Sequence, residues 1–266
     1  MNSFNKFTIC LFFFLGTVLT YGQSTKTANS IIEKYQTASA IDDLQSTITY
    51  KNISKKGRVQ ERSLEQFILQ KDASSNTYNF LLKFVSPADI SGTSSLTIQH
   101  DGKADDQWLY LPALRKAKRI SASKKGDRFM GTEMTYEDLS NYLSEPMEEY
   151  NYELVGEENV MQKDCYKIIA TPLAGTKTQY SKRILWIDQA TSLQVQSHFY
   201  NKKDKLQKVL TAKDIRKIGD TNFYKAHFIQ IENLLTKNRT EVYYDGFVIN
   251  KGVNESIFSK SYIETL

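Results

Sequence analysis

Apolar and polar positions alternate with a period of two over most of this chain, the spacing that puts one side of an extended strand against a core. In the first half the pattern predicts strands over Ser46–Ser54, Ser63–Lys71, Thr77–Val85, Thr93–His100 and Gln107–Leu111. In the second half it predicts Tyr150–Gly156, Cys165–Pro172, Arg183–Asp188, Leu193–Tyr200, Leu206–Ile218, Phe223–Asn233 and Thr240–Ile249. Turn signals separate the runs, among them Asp101–Gly102, Gly156–Glu157, Gly219–Asp220 and Asp245–Gly246. A helical spacing occurs at Thr27–Ala38, where Ile31, Ile32 and Tyr35 share a face. Roughly a dozen strands with few helices predict a mainly β protein, an antiparallel sheet curled into a barrel or sandwich. No linker, repeat or low-complexity tract interrupts the pattern, so one domain is expected.

Several of these strands carry an unusually aromatic face. Tyr78, Phe80, Leu82 and Phe84 share one side, Leu96 and Ile98 another, and Trp108 and Tyr110 a third. In a small closed barrel such faces pack against each other. In a wider or half-open one they line a cavity for an apolar ligand. Alternation by itself favours the packed interior and does not separate the two.

The N-terminus sets the compartment. Lys6 is the only charge in the first 22 residues, Phe7 to Leu19 is almost continuously apolar, and Thr20–Tyr21–Gly22 supplies small residues at the two positions read by signal peptidase. This predicts a secretory signal, residues 1–22, cleaved after Gly22. The apolar core is short for a membrane helix, which needs about 20 residues. Cys10 lies inside it without a lipoprotein cleavage box before it, so a lipid-anchored product is not expected. The expected exported domain is 23–266, with Cys165 its one cysteine and no intramolecular disulfide. Within Asp164–Cys165–Tyr166–Lys167–Ile168–Ile169 that thiol is placed mid-strand, as a buried structural group. The net charge of +5 is mild, so local clustering of charge matters more than the total.

Catalytic constellations are poor. His100, His198 and His227 fall on different predicted strands with no ligand spacing between them. The G-x-S-x-G, G-x-x-x-x-G-K-[ST] and H-E-x-x-H patterns do not occur. Ser121–Ala122–Ser123–Lys124 matches S-x-x-K, but in a basic loop and without a K-T-G partner. Asp101, Asp105 and Asp106 near Gly102 miss the spacing of a calcium loop and read as a solvated turn. No catalytic residue, metal site or cofactor is predicted.

The most informative stretch is 106–139. An aromatic run, Trp108 to Leu111, breaks at Pro112. A cationic loop follows with Arg115, Lys116, Lys118, Arg119, Lys124, Lys125 and Arg128. Phe129–Met130–Gly131 and an acidic helix start at Thr135–Leu139 complete it. Three readings of the loop stand side by side: a solvated loop, contact with anionic lipid headgroups, or docking to an acidic patch of a partner. Nucleic acid is disfavoured by export and by the lack of a reading motif.

Trp108–Ser121 (WLYLPALRKAKRIS) and Phe129–Ser140 (FMGTEMTYEDLS) resemble the outer-membrane lipoprotein-sorting-protein-like family, relatives of the periplasmic carrier LolA. The turn Ser86–Thr93, Asp164–Cys165–Tyr166, Tyr180–Asp188 and Phe199–Tyr200 are similar to that family too, over most of the chain from about residue 30 onward. The resemblance implies an incomplete, half-open antiparallel β-barrel, with helices covering its concave face and an apolar cavity between them. It implies a non-catalytic, monomeric periplasmic carrier of a lipid or acylated protein, working with an inner-membrane lipid exporter of the RND type, with peripheral membrane contact and no nucleic acid. On that fold Phe67, Leu69, Phe80, Leu82, Leu96, Ile98, Trp108 and Tyr110 are expected to line the cavity. Met130 and Met134 would flank a lid, and the seven basic residues from Arg115 to Arg128 would meet a headgroup or partner. Two rivals remain: an envelope adaptor with a filled core, docking through its basic loop, and a hydrolase, for which no nucleophile beside a base is visible.

Overall fold

A computed structural model describes residues 27–266 apart from 73, 75, 143 and 145. The predicted signal segment lies outside the described residues. Helix α1 (Ala28–Ser39) opens the fold, its first turn closed by a capping box in which Thr27 and Ser30 satisfy each other's backbone N–H. Strands β1 (Asp43–Ile53), β2 (Val59–Asp72), β3 (Thr77–Ser86), β4 (Ser94–Ile98), β5 (Asp106–Leu111) and β6 (Lys116–Arg119) follow as a meander. A covering segment then carries helix α2 (Tyr136–Asn141). The remaining strands are β7 (Tyr150–Val160), β8 (Lys163–Pro172), β9 (Tyr180–Asp188), β10 (Gln194–Asn201), β11 (Leu206–Lys217), β12 (Tyr224–Asn233) and β13 (Asn238–Ile249), before helix α3 (Lys260–Ile263).

All thirteen strands form one antiparallel sheet in the order β6-β5-β4-β3-β2-β1-β13-β12-β11-β10-β9-β8-β7. The pairing of β1 with β13 joins the two meanders, while β6 and β7 stay unpaired as free edges, so the barrel is half-open. Strand β6 departs from the sequence pattern, which reads it as loop. Only Ala117 of its four residues is buried, so it carries no alternation to detect.

Register decides which side chains meet, because a strand sends successive residues to opposite faces. On the inner face Leu44, Ile68 and Phe80 lie side by side across β1, β2 and β3. They belong to the largest core, which also takes in Phe84, Tyr136, Leu139, Ile229 and Val242. Farther round, α1 buries Ile31 and Ile32 against Tyr152, Ile168, Leu185 and Ile187 of β7 to β9. On the outer face Phe67, Leu81, Leu96 and Trp108 form a row across β2 to β5. The C-terminal segment closes over that row, with Phe258 and Ile263 buried in it. The helices therefore cover both faces, α1 and α2 the inner one and α3 the outer one.

Candidate functional site: a covered cavity on the inner face

Residues 127–141 fold across the inner face as a plug. A short bridge pairs Arg128 with Thr135, and the Thr132 hydroxyl closes the turn between them by donating to the Phe129 carbonyl at 2.7 Å. Helix α2 starts at Thr135, whose side chain accepts from the Asp138 N–H while the Asp138 carboxylate accepts from the Thr135 N–H. Phe129, Tyr136 and Leu139 enter the inner core, and Phe129 meets Tyr136 edge-on at 5.6 Å.

Polar groups from distant strands fasten this plug. The Lys208 ammonium, 3% exposed, donates to Asp138 at 2.6 Å and to the Glu133 carbonyl at 3.2 Å. It also lies 5.0 Å from the ring centres of both Tyr180 and Phe199. The Tyr180 hydroxyl donates to the other Asp138 oxygen at 2.8 Å. Asn233 donates to the Glu133 carboxylate at 2.8 Å, and the Glu133 N–H donates to Thr240 at 2.9 Å. Gln107 reaches the Tyr136 carbonyl at 3.0 Å, and Gln99 the Ser140 carbonyl at 2.8 Å. Glu137 accepts from the Thr178 hydroxyl and the Gln179 N–H. Burial raises the Glu137 carboxyl above the usual carboxylate range despite these bonds, and burial together with the Asp138 charge holds the Tyr180 phenol well above its ordinary value.

Between plug and sheet lie two adjoining lobes that share Met134 and Tyr142. The smaller, about 430 Å³, is walled by Tyr50, Leu64, Phe80, Leu82, Phe129 and Val242, with little polar surface. The larger, about 1140 Å³ including its open mouth, has an apolar wall of Leu210, Ile229 and Ile231 from β11 and β12. Charged groups line it as well: Glu137 and Asp138 from the plug, Lys208 beside Leu210 on β11, and Arg183 from β9, stacked 4.5 Å over the Tyr150 ring. Lys225 stands at the end of this lobe, where burial lowers its ammonium to about 8. Such an arrangement accepts a chain with an apolar body and a polar head.

The structure splits the ten residues expected at the cavity between the two faces. Phe80, Leu82 and Met134 wall the smaller lobe, and Met130 packs against the same core. Phe67, Leu69, Leu96, Ile98, Trp108 and Tyr110 point the other way, into the cluster under the C-terminal segment. Alternation groups residues by face but does not say which face is inner, and it carries no sign of the cover that occupies the outer one. The basic residues are similarly dispersed. Arg115 takes a left-handed turn (φ 47°), and Lys116, Lys118 and Arg119 lie on the free edge β6, where Arg119 pairs with Asp106. Lys124 is exposed, and Lys125 lines a polar cleft. Arg128 pairs with Glu133 and donates to the Thr132 carbonyl at 3.0 Å. None of the seven lines either lobe.

Sequence reasoning missed Lys208, Arg183, Glu133 and Asn233. The signal for Lys208 was present, because it shares parity with Leu210 and Ala212 and so falls on their face as a charge in an apolar column. Of the histidines, His100 pairs with Asp106 at 3.0 Å, His198 contacts Gln196 and the Trp186 ring, and His227 meets Phe247 edge-on. No group of side chains suited to a metal ion occurs among the described residues. Ser121 contacts Ser123, and both are exposed. Cys165 is fully buried beside Trp186 and Val195, and burial pushes its thiol up to about 11. A disulfide reagent at neutral pH is therefore expected to modify the folded protein at least about a hundredfold more slowly than the unfolded chain, as timed absorbance would record.

An open antiparallel sheet with a plugged cavity on its inner face defines a half-open-barrel class of protein. A family model described as uncharacterized-protein-like matches residues 76–265. The solved structure of a DUF1329 family protein from Desulfovibrio piger is similar at 28% identity and TM-score 0.83, over 90% of this chain and 100% of that one. A putative outer membrane lipoprotein-sorting protein domain from Vibrio parahaemolyticus is similar at 28% identity and TM-score 0.79, over 88% and 97%. A LolA superfamily protein from Nitrosomonas europaea shares the fold at 19% identity and TM-score 0.68, over 89% and 99%. No curated protein matches. The chain belongs to the LolA-like family.

Proposed function

We propose that this protein is a periplasmic carrier that holds the acyl chains of a lipid or lipoprotein on its inner face during transfer across the envelope. The observation that carries the reading is the pair of adjoining lobes, one apolar and one with both apolar and charged lining, beneath a fastened plug. The name of the Vibrio relative, a putative lipoprotein-sorting domain, supports the same cargo class. The acyl chain would lie against Phe80, Leu82, Met134 and Leu210, with its head toward Lys208 and Arg183. Each methylene so buried contributes about 0.8 kcal/mol relative to water, so a cavity that releases its cargo must be no greasier than the membrane that accepts it. Met130 and Met134 would repack around different chains. In this reading residues 1–22 direct export, the single domain 23–266 is the working unit, and the basic stretch Arg115–Arg128 faces a partner such as an RND-type exporter.

Organic extraction of the purified protein followed by mass spectrometry tests the proposal, with a fluorescent fatty acid as a second probe. Bound lipid and saturable uptake are expected. Absence of both would sink the carrier reading. A Leu82→Trp substitution fills the smaller lobe, and it is expected to weaken fatty-acid binding at least about tenfold while costing about 1–3 kcal/mol of stability.

A further inference from the structure

Every neighbouring pair in the sheet is antiparallel, so successive hairpin turns alternate between its two rims. One rim holds the β1–β2, β3–β4, β5–β6, β8–β9, β10–β11 and β12–β13 turns; the other holds β2–β3, β4–β5, β7–β8, β9–β10 and β11–β12. Residues between the strands on the first rim include nine lysines and arginines against two acids, Asp89 and Asp204. Those on the second include one, Lys103, against Asp101, Asp105 and Asp220. One turn of the first rim, β8–β9 with Lys177, shares a cleft with Asp101, Asp105, Glu148 and Glu149, so the cationic surface is carried by the other turns of that rim.

The same rim exposes leucines. Leu114 and Leu235, at two of those turns, are 52% and 54% exposed, and each lies within two residues of a cation. An acidic protein face would satisfy the cations equally. It gives no reason for single leucines on two separate tips, which make no common patch but can each enter a headgroup layer.

We propose that this rim docks on a bilayer surface rich in anionic phospholipid, with the two leucines in the headgroup layer and the turn cations against lipid phosphates. The surface differs from the basic stretch 115–128, with which it shares only Arg115 in a turn, and it does not depend on what the cavity carries. Co-sedimentation of the folded protein with phosphatidylcholine vesicles, with and without phosphatidylglycerol, tests it. Binding is expected only with phosphatidylglycerol and is expected to fall as salt rises. Each turn cation contributes about fivefold, so Lys55→Ser, Lys56→Ser, Lys203→Ser and Lys205→Ser together lower binding by several hundredfold or so. Lys103→Ser on the opposite rim leaves it unchanged. These lysines are exposed, so the variants are expected to fold, as circular dichroism would verify. Equal binding to both vesicle types, no binding to either, or parental binding by the quadruple variant would overturn the proposal. Parental binding by the Leu114→Ser, Leu235→Ser variant, together with tight binding to soluble polyglutamate, would assign the rim to an acidic protein instead.

Discussion

Lys208→Met is expected to lower unfolding stability by about 3–5 kcal/mol, because it leaves a buried carboxylate without its partner. In the native fold Lys208 is 3% exposed and Asp138 is 12% exposed, and the cation also serves the Glu133 carbonyl and two aromatic rings. Asp138 keeps the Tyr180 hydroxyl and the Thr135 N–H, so the plug would remain attached but strained. In a chain of this size the loss corresponds to a fall in Tm of about 10 °C. Adding Asp138→Asn removes the orphaned charge and is expected to recover part of the loss, which distinguishes electrostatics from packing. Urea titration of the two variants checks both statements. A change below about 1 kcal/mol in Lys208→Met would mean that the ion pair contributes no more than an exposed one.

Removal of the chain after Gly252 is the other large perturbation. The truncated protein retains the Lys251 and Gly252 N–H groups that donate to Asp43, so the end of β13 stays anchored. It loses Phe258 and Ile263, which are 5% and 0% exposed, and uncovers Leu81, Leu96 and Tyr110. Each fully buried apolar side chain contributes about 1.5–3 kcal/mol, so the direct loss is on the order of 5 kcal/mol before the uncovered row is counted. Aggregation or a fall in soluble yield is expected, read by size-exclusion chromatography. The single substitution Ile263→Asp should reproduce the effect by burying an unpaired charge. A monomeric truncated protein with an unchanged Tm would show that the segment is not an integral part of the fold.

The sheet was largely legible because alternation of apolar residues is a direct imprint of half-buried strands. Twelve of the thirteen strands lie on runs that the pattern picks out, and α1 falls within a residue of the predicted Thr27–Ala38. β6 escaped because Lys116-Ala117-Lys118-Arg119 turns a single alanine inward. α3 escaped because it spans four residues, too few for a helical period to register. The site was less legible for a different reason. Phe67 and Phe80 are equivalent as letters in an alternating run, and only the three-dimensional path of residues 253–266 makes one of them outer core and the other cavity wall. The plug motif was visible as a motif, but the strand residues that hold it, Lys208, Asn233 and Thr240, lie roughly 70 to 110 positions away and no local pattern couples them to it.

A half-open barrel also has a problem of self-association, since a strand left at the margin of a sheet is a template for another copy. The two margins here are ill-matched for that. β6 offers four residues, three of them cationic, so two copies meeting at this margin repel. β7 is longer, but it bears Glu153, Glu157 and Glu158 and breaks register between Leu154 and Gly156. Joining β6 to β7 brings opposite charges together, but over one short turn of ladder against a kinked partner, too little to nucleate a fibre. The gap between β6 and β7 can therefore stay open without seeding polymers.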